Sequence, residues 1–169
     1  MAKSDTQRIG RGKLRTLGIL VAAALSISSV FATVEAHHGF VRFESTKPLY
    51  FEGRIREVYW QYPHSYVRVE VESGVVLPPD YTPGAEIEGR AVPQSIRAAQ
   101  EGLWTLVISA FWQLEKAGIM GADLKENDTF RAIAYPSCDE ESDAYVAFVE
   151  VTGGKRYWVT ETTLPVSCE

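Results

Sequence analysis

Residues 47–71 read KPLYFEGRIREVYWQYPHSYVRVEV, and this stretch carries the clearest strand pattern in the chain. Apolar residues alternate from Leu49 to Ile55, and the phase then slips by one position to Val58 and Trp60. A slip in a period-2 pattern beside a glycine predicts a bulged and strongly bent strand. Bent strands of this kind allow a short sheet to curl into a small barrel.

The second half of the stretch alternates without interruption over residues 65–72. Such a pattern is typical of a strand with one buried face and one solvated face. The predicted inward positions are Val67, Val69 and Val71, and the outward positions are Arg68, Glu70 and Glu72. The connector QYPH, residues 61–64, joins the two strands as a hairpin.

The rest of the chain adds further strands and one helix, for about six strands in total. Residues 110–117 form the predicted helix, which Ser109 caps and Gly118 ends. Residues 73–84 have a loop composition, and residues 93–102 are predicted to be a weak helix or an irregular segment. The predicted strands are 85–92, 103–108, 129–135, and a hairpin of 144–151 with 156–162. We expect a mainly β fold, a small antiparallel barrel of the oligonucleotide/oligosaccharide-binding type, with a β-sandwich as the alternative.

The N-terminus has the pattern of an export signal. Five basic residues precede an uncharged run from Leu17 to Phe31. That run of about 15 residues is short of the roughly 20 needed to span a bilayer. Val34-Glu35-Ala36 fits a cleavage site. We predict a Sec-type signal peptide over 1–36 and a single β-rich domain over 37–169, periplasmic or secreted; an uncleaved anchor is the alternative.

The net charge and the two cysteines narrow the range of partners and compartments further. Cleavage after Ala36 removes five basic and two acidic residues and leaves 12 Lys and Arg against 20 Asp and Glu, a formal net charge of −8. This balance argues against nucleic acid or an anionic membrane as partner. Cys138 and Cys168 both remain, and in an oxidising compartment they are expected to form a disulfide. That bridge would be worth roughly 3 kcal/mol by the chain-entropy model.

Catalytic motifs are missing from the sequence. It contains no nucleophile elbow, phosphate-binding loop, dinucleotide fingerprint or zinc-protease helix. Among the acidic residues, Glu150 alone lies in a sequence context apolar enough to raise a carboxyl pKa. We therefore predict no catalytic residue.

The three histidines support the most specific hypothesis about function, which is a metal site. Cleavage after Ala36 makes His37 the first residue, so that its free amine and its imidazole can chelate one metal ion. Nitrogen donors of this kind favour Cu(II) among first-row divalent ions. His38 and His64 are the predicted further ligands, a set that resembles in donor types the histidine brace of exported copper proteins. Near them, Trp60, Tyr62 and Tyr66 are predicted to form the rim of a site for a small ligand.

Other readings of the same residues stay open. The histidines can have packing or solvent roles only, in an accessory module that binds another exported protein. Copper-assisted oxidation at the same site is a second alternative.

The run HHGF at 37–40, with Gly53, Trp60, Pro63 and His64 in the following hairpin, resembles a family of small exported bacterial proteins of unknown function. The likeness covers residues 30–72 closely and 103–136 loosely. Residues 73–102 look like an insertion, and Tyr62 stands where the family pattern has asparagine. The resemblance implies export, this architecture and the histidine set, and it implies no reaction.

Overall fold

Five strands close into a barrel in the computed structural model, which describes residues 42–61, 65–108, 112–159 and 167–168. These barrel strands are β1 (Leu49–Tyr59), β2 (Ser65–Val71), β6 (Gly102–Ile108), β7 (Thr129–Pro136) and β8 (Asp143–Val151). The ring order is β1-β2-β6-β8-β7 and back to β1. All pairs are antiparallel except β6–β8, which is parallel. The predicted small barrel is confirmed, and the closed ring excludes the sandwich.

The bend in β1 lies where the sequence pattern predicts it. The register of β1 against β2 shifts between Ile55 and Glu57, so the bulge falls at Arg56. Strand β1 also pairs with β7 over its first half and therefore turns a corner of the barrel. At this corner Gly53 approaches Glu70 so closely that a Cβ atom would lie 2.2 Å from the Glu70 carbonyl oxygen. The corner therefore requires glycine at this position.

The barrel interior is filled by the inward positions of the strands. Val67, Val69 and Val71 are buried there, as predicted. Phe51 packs edge-on against Trp104, with ring centroids 5.0 Å apart. This interior is the main core, and most of its residues come from β1, β2, β6, β7 and β8.

A short helix, α1 (Trp112–Lys116), follows β6. It falls within the predicted 110–117, and the first two predicted helical residues and Ser109, the predicted cap, lie outside the described residues. Leu114 is buried in the main core, and Gly118 adopts a positive φ of 78° just past the helix. The predicted glycine stop is therefore confirmed. No helix among the described residues is long and apolar enough to cross a bilayer.

Residues 72–101 form an excursion between β2 and β6 that packs on the outside of the barrel. It contains a single-turn 3-10 helix (Pro79–Tyr81) and three short strands, β3 (Glu86–Ile87), β4 (Arg90–Ala91) and β5 (Arg97–Ala98). The prediction of one strand over 85–92 is wrong. Glu88 and Gly89 both have positive φ, so the chain reverses there and β3 and β4 form a tight hairpin.

The excursion buries a second apolar cluster against outward-facing barrel residues. From the excursion come Tyr81, Ile87, Val92 and Ile96, and from the barrel come Tyr50, Ile133 and Phe148. Strand β9 (Lys155–Trp158) pairs with β8, as the predicted hairpin requires. The Trp158 indole on β9 donates a hydrogen bond to the Ile87 carbonyl at 2.8 Å and fixes the excursion from the other side.

The predicted disulfide between Cys138 and Cys168 is confirmed, with the two Cα atoms 5.4 Å apart. It lies beside the first described residues of the chain. The Cys138 amide donates a hydrogen bond to the Arg42 carbonyl at 2.7 Å, and Phe43 forms a β-bridge with Ser137. The start and the end of the described chain are therefore held at one place.

Candidate functional site

All three predicted metal ligands, His37, His38 and His64, lie outside the described residues, and so does the rim residue Tyr62. Within 42–61, 65–108, 112–159 and 167–168, no group of three or more His, Cys, Asp or Glu side chains is placed to hold a metal ion. The histidine hypothesis therefore stays a prediction.

Trp60 and Tyr66, the two described rim residues, have different surroundings. Trp60 follows β1 and packs partly buried against the main core. Its ring is so close to Gly121 that a Cβ atom there would lie 3.0 Å from the indole. Tyr66 instead lies on the outer face of β2 and stacks on Tyr59, with ring centroids 4.9 Å apart and planes 9° from parallel. Sequence reasoning missed Tyr59 as the ring that supports Tyr66.

An aromatic row crosses the outer face of the barrel, formed by Tyr59, Tyr66, Val107, Tyr145 and Phe43. Tyr59 pairs with Tyr66 across β1 and β2, Tyr66 with Val107 across β2 and β6, and Val107 with Tyr145 across β6 and β8. Phe43 completes the row through a ring contact with Tyr145, at 5.3 Å between centroids. Four aromatic rings from three separate parts of the sequence therefore belong to this row.

A polar row runs beside the aromatic row, two residues along the strands. It consists of Glu57, Arg68, Thr105 and Asp143, which are neighbours across β1, β2, β6 and β8. Arg68 lies 3.6 Å from the Glu57 carboxylate. The Tyr66 hydroxyl donates a hydrogen bond to Glu57 at 3.2 Å, and partial desolvation together with this bond raises the pKa of Tyr66. The polar row therefore presents donors and acceptors next to aromatic surface.

The face under the excursion carries a network of ion pairs. Arg131 on β7 contacts Glu52 at 2.9 Å and Glu150 at 3.1 Å, and Arg156 on β9 contacts Glu150 at 2.7 Å. The Tyr81 hydroxyl donates to Glu150 at 2.8 Å. Glu150, whose sequence context suggested apolar surroundings, is thus held by two guanidinium groups and one hydroxyl.

Proton-transfer chemistry is not favoured in this network. Burial raises the pKa of Glu52, but hydrogen bonds from Arg131 and from the Tyr50 hydroxyl outweigh it, so the pKa lies below its usual range. A general acid needs a pKa near the working pH, which for a carboxyl means a raised pKa.

The network instead holds the excursion against the barrel. Tyr81 of the excursion bonds to Glu150 on β8, and Asp80 of the excursion pairs with Arg156 on β9 at 3.0 Å. A neighbouring groove of about 460 Å³, lined in part by Glu52, Arg54 and Glu72, lies at the start of the excursion.

The part of the chain that holds all three histidines is similar to a known protein family. Residues 24–76 match the model of DUF6152, a family of unknown function. The DUF6152 segment begins in the apolar run and ends in the excursion, and it includes the whole β1–β2 hairpin. The resemblance to a family without known activity is confirmed for this segment. The looser likeness over 103–136 lies outside the match and stays a prediction. No curated protein and no solved structure matches the chain.

Proposed function

We propose that the protein is an exported binding protein whose mature N-terminus chelates copper(II) through His37, with His38 and His64 as further ligands. Two features support export: the basic and apolar pattern of residues 1–36, and the Cys138–Cys168 disulfide. Disulfides persist in oxidising compartments and are rare in the reducing cytosol.

The observation that carries the copper proposal is the place of His37 in the sequence. Val34-Glu35-Ala36 fits a cleavage site, and cleavage there gives His37 a free α-amino group beside its own imidazole. His38 follows directly, and His64 is the third histidine of the chain. All three lie outside the described residues, so the support for the copper site comes from the sequence.

The chemistry of the donors favours copper over other ions. A terminal amine and an imidazole of the same residue close a chelate ring, and a second imidazole completes a nitrogen-rich set that Cu(II) prefers. Each nitrogen must lose its proton to bind, so affinity is expected to rise with pH through the imidazole and amine titrations, near 6.5 and 8. No described carboxylate or cysteine cluster competes for the ion.

The first test is the identity of the first residue. Intact mass of the protein recovered after export should correspond to a chain that starts at His37. A start at any other residue removes the amine chelate and contradicts the proposal.

The second test is Cu(II) affinity measured with a competing chelator. His64→Ala should weaken binding about tenfold or more, since loss of even an outer-shell partner costs on this order and a ligand is expected to cost at least as much. The matched control is Gln61→Ala in the same connector, which should leave the affinity unchanged. Equal affinity in all three proteins would exclude His64 as a ligand. Recovery of the protein in a stable, metal-free complex with another exported protein would favour the interaction module instead.

A further inference from the structure

The groove of about 460 Å³ lies between the barrel and the start of the excursion. Its barrel side is formed by Glu52 and Arg54 of β1 and by Thr129 of β7, and its excursion side by Glu72 and residues 73–76. This volume falls within the range of small-ligand sites, about 300–1,000 Å³. The groove therefore has the size of a binding site, and its polar groups decide what it can bind.

Arg54 is held in the groove with part of its guanidinium group unused. Its Nη1 donates hydrogen bonds to the Asn127 carbonyl at 3.2 Å and to the Thr129 hydroxyl at 3.0 Å. Among the described residues, no carboxylate forms an ion pair with Arg54, and its Nε and Nη2 donate no hydrogen bond. The Nε–Nη2 edge of a guanidinium group matches a carboxylate with two parallel hydrogen bonds. Arg54 is therefore a positioned receptor for a carboxylate.

Glu72 contributes a negative charge that no described residue compensates. Its side chain is exposed and forms no ion pair or hydrogen bond with the rest of the described chain. Glu52, in the same groove, already accepts hydrogen bonds from Arg131 and from the Tyr50 hydroxyl. Arg54 and Glu72 therefore leave one charge of each sign for a ligand that carries a carboxylate and an ammonium group.

The excursion side of the groove includes an extended segment with unpaired backbone groups. Val75 and Leu77 pack against the second apolar cluster, whereas Val76 between them lines the groove and is 75% exposed. Neither Val76 nor Leu77 forms a backbone hydrogen bond with another described residue. Such a segment can pair with an extended peptide through amide and carbonyl groups. The segment therefore offers a peptide both backbone pairing and one apolar contact.

The separation of the two charged residues sets the length of the ligand. Arg54 pairs with Glu70 across β1 and β2, so Glu72, two residues further along, is its diagonal neighbour. Diagonal neighbours lie about 7–8 Å apart, and an extended chain advances about 3.3–3.6 Å per residue. Two or three residues match this separation, and a single amino acid is shorter than it.

We propose that the groove binds a dipeptide or tripeptide with free termini, extended beside Val76, with its carboxylate on Arg54 and its ammonium group at Glu72. Such a ligand has no net charge, so the formal net charge of −8 predicted for the mature chain does not oppose its binding. None of the proposed copper ligands takes part, so the two sites can be tested separately.

The test is titration of the metal-free exported protein with trialanine, followed by calorimetry and by NMR. The matched probes are trialanine amide, which lacks the carboxylate, N-acetyltrialanine, which lacks the ammonium group, and free alanine. We expect trialanine to bind and to shift the amide resonances of Gly74 and Val76, and each blocked peptide to bind about tenfold more weakly. Absence of trialanine binding at millimolar concentration, equal affinity for a blocked peptide, or tighter binding of alanine would overturn the proposal.

Variants locate the binding. Arg54→Gln and Glu72→Gln should each weaken trialanine binding about tenfold. The matched controls are Arg97→Gln and Glu141→Gln, at exposed residues outside the groove lining, and they should leave the affinity unchanged. Arg54→Gln should no longer distinguish trialanine from its amide, and Glu72→Gln should no longer distinguish it from N-acetyltrialanine. Trialanine binding that survives both groove variants, or a loss that is equal for free and blocked peptides, would overturn the proposal.

Discussion

The Glu44 carboxylate accepts a hydrogen bond from the Cys168 amide, 124 residues later, at 3.0 Å. Glu44 is buried, and it also accepts hydrogen bonds from the Thr46 amide and hydroxyl and from the Ser167 hydroxyl. Lys47 lies 3.6 Å from the same carboxylate. The start and the end of the described chain therefore share one buried charge, next to the disulfide.

Replacement of Glu44 should make the free energy of unfolding less dependent on pH in the acid range. The hydrogen bond from the Thr46 hydroxyl, followed by the bond from Cys168, lowers the Glu44 pKa from 4.5 to about 2. A carboxyl whose pKa is lowered on folding stabilises the protein above its unfolded pKa and loses that effect as pH falls from about 4.5 toward 2. Glu44→Gln should cost about 1–3 kcal/mol at pH 7 and less at pH 3. Urea unfolding at both pH values measures this, and an equal cost at both would contradict the assignment.

The Cys138–Cys168 disulfide should stabilise the protein. The double change Cys138→Ser with Cys168→Ser opens a loop of 30 residues and should cost about 3 kcal/mol. A reductant should destabilise the native protein by a similar amount and leave the double variant unaffected. A native protein that keeps its full unfolding free energy under reduction would show that the bridge is not stabilising.

The stability of the excursion should depend on Tyr81. Tyr81→Phe removes the hydroxyl that donates to Glu150 but keeps the ring beside Tyr50, so it should cost about 1–2 kcal/mol. Tyr81→Ala also removes the buried ring and should cost about 3–5 kcal/mol. Hydrogen exchange over residues 75–96 should speed up more than exchange in β2. Tyr59→Phe, at an exposed hydroxyl, is the control, and a similar loss there would argue against a specific clamp.

The corner of β1 should tolerate no side chain at Gly53. A Cβ atom would meet the Glu70 carbonyl and the Val69 side chain, so Gly53→Ala should cost about 3 kcal/mol or more through displacement of backbone. Gly89→Ala is the comparison, because open space surrounds that residue and only its positive φ opposes a side chain. Its cost should be about 1 kcal/mol. Thermal unfolding ranks the two, and the reverse order would refute the close approach.

Local patterns in the sequence predicted local structure well. The phase slip before Val58 located the bulge of β1, and the alternation of valines located the buried face of β2, because both signals depend on neighbours in the sequence. The β3–β4 hairpin was missed since its turn uses Glu88 at positive φ, a position that glycine usually takes. The excursion's apolar residues pack on Ile133 and Phe148, far along the chain, so no local pattern could reveal their partners.

The aromatic row could be predicted from the sequence only in part. Tyr66 was recognised because it follows His64 closely in the sequence. Tyr145 and Phe43 join it only through strand pairing between β2, β6 and β8, so their role in the aromatic row required the fold.

The most direct measurement of the copper proposal compares Cu(II) affinity in two proteins that differ only at the N-terminus. One is the exported protein that starts at His37, and the other carries three extra alanines before it. Three residues move the free amine away from the His37 imidazole, whereas one or two would place a histidine at the third position and create a new chelate. We expect an affinity loss of about tenfold or more, since loss of even an outer-shell partner costs on this order. Equal affinity of the two proteins would contradict it.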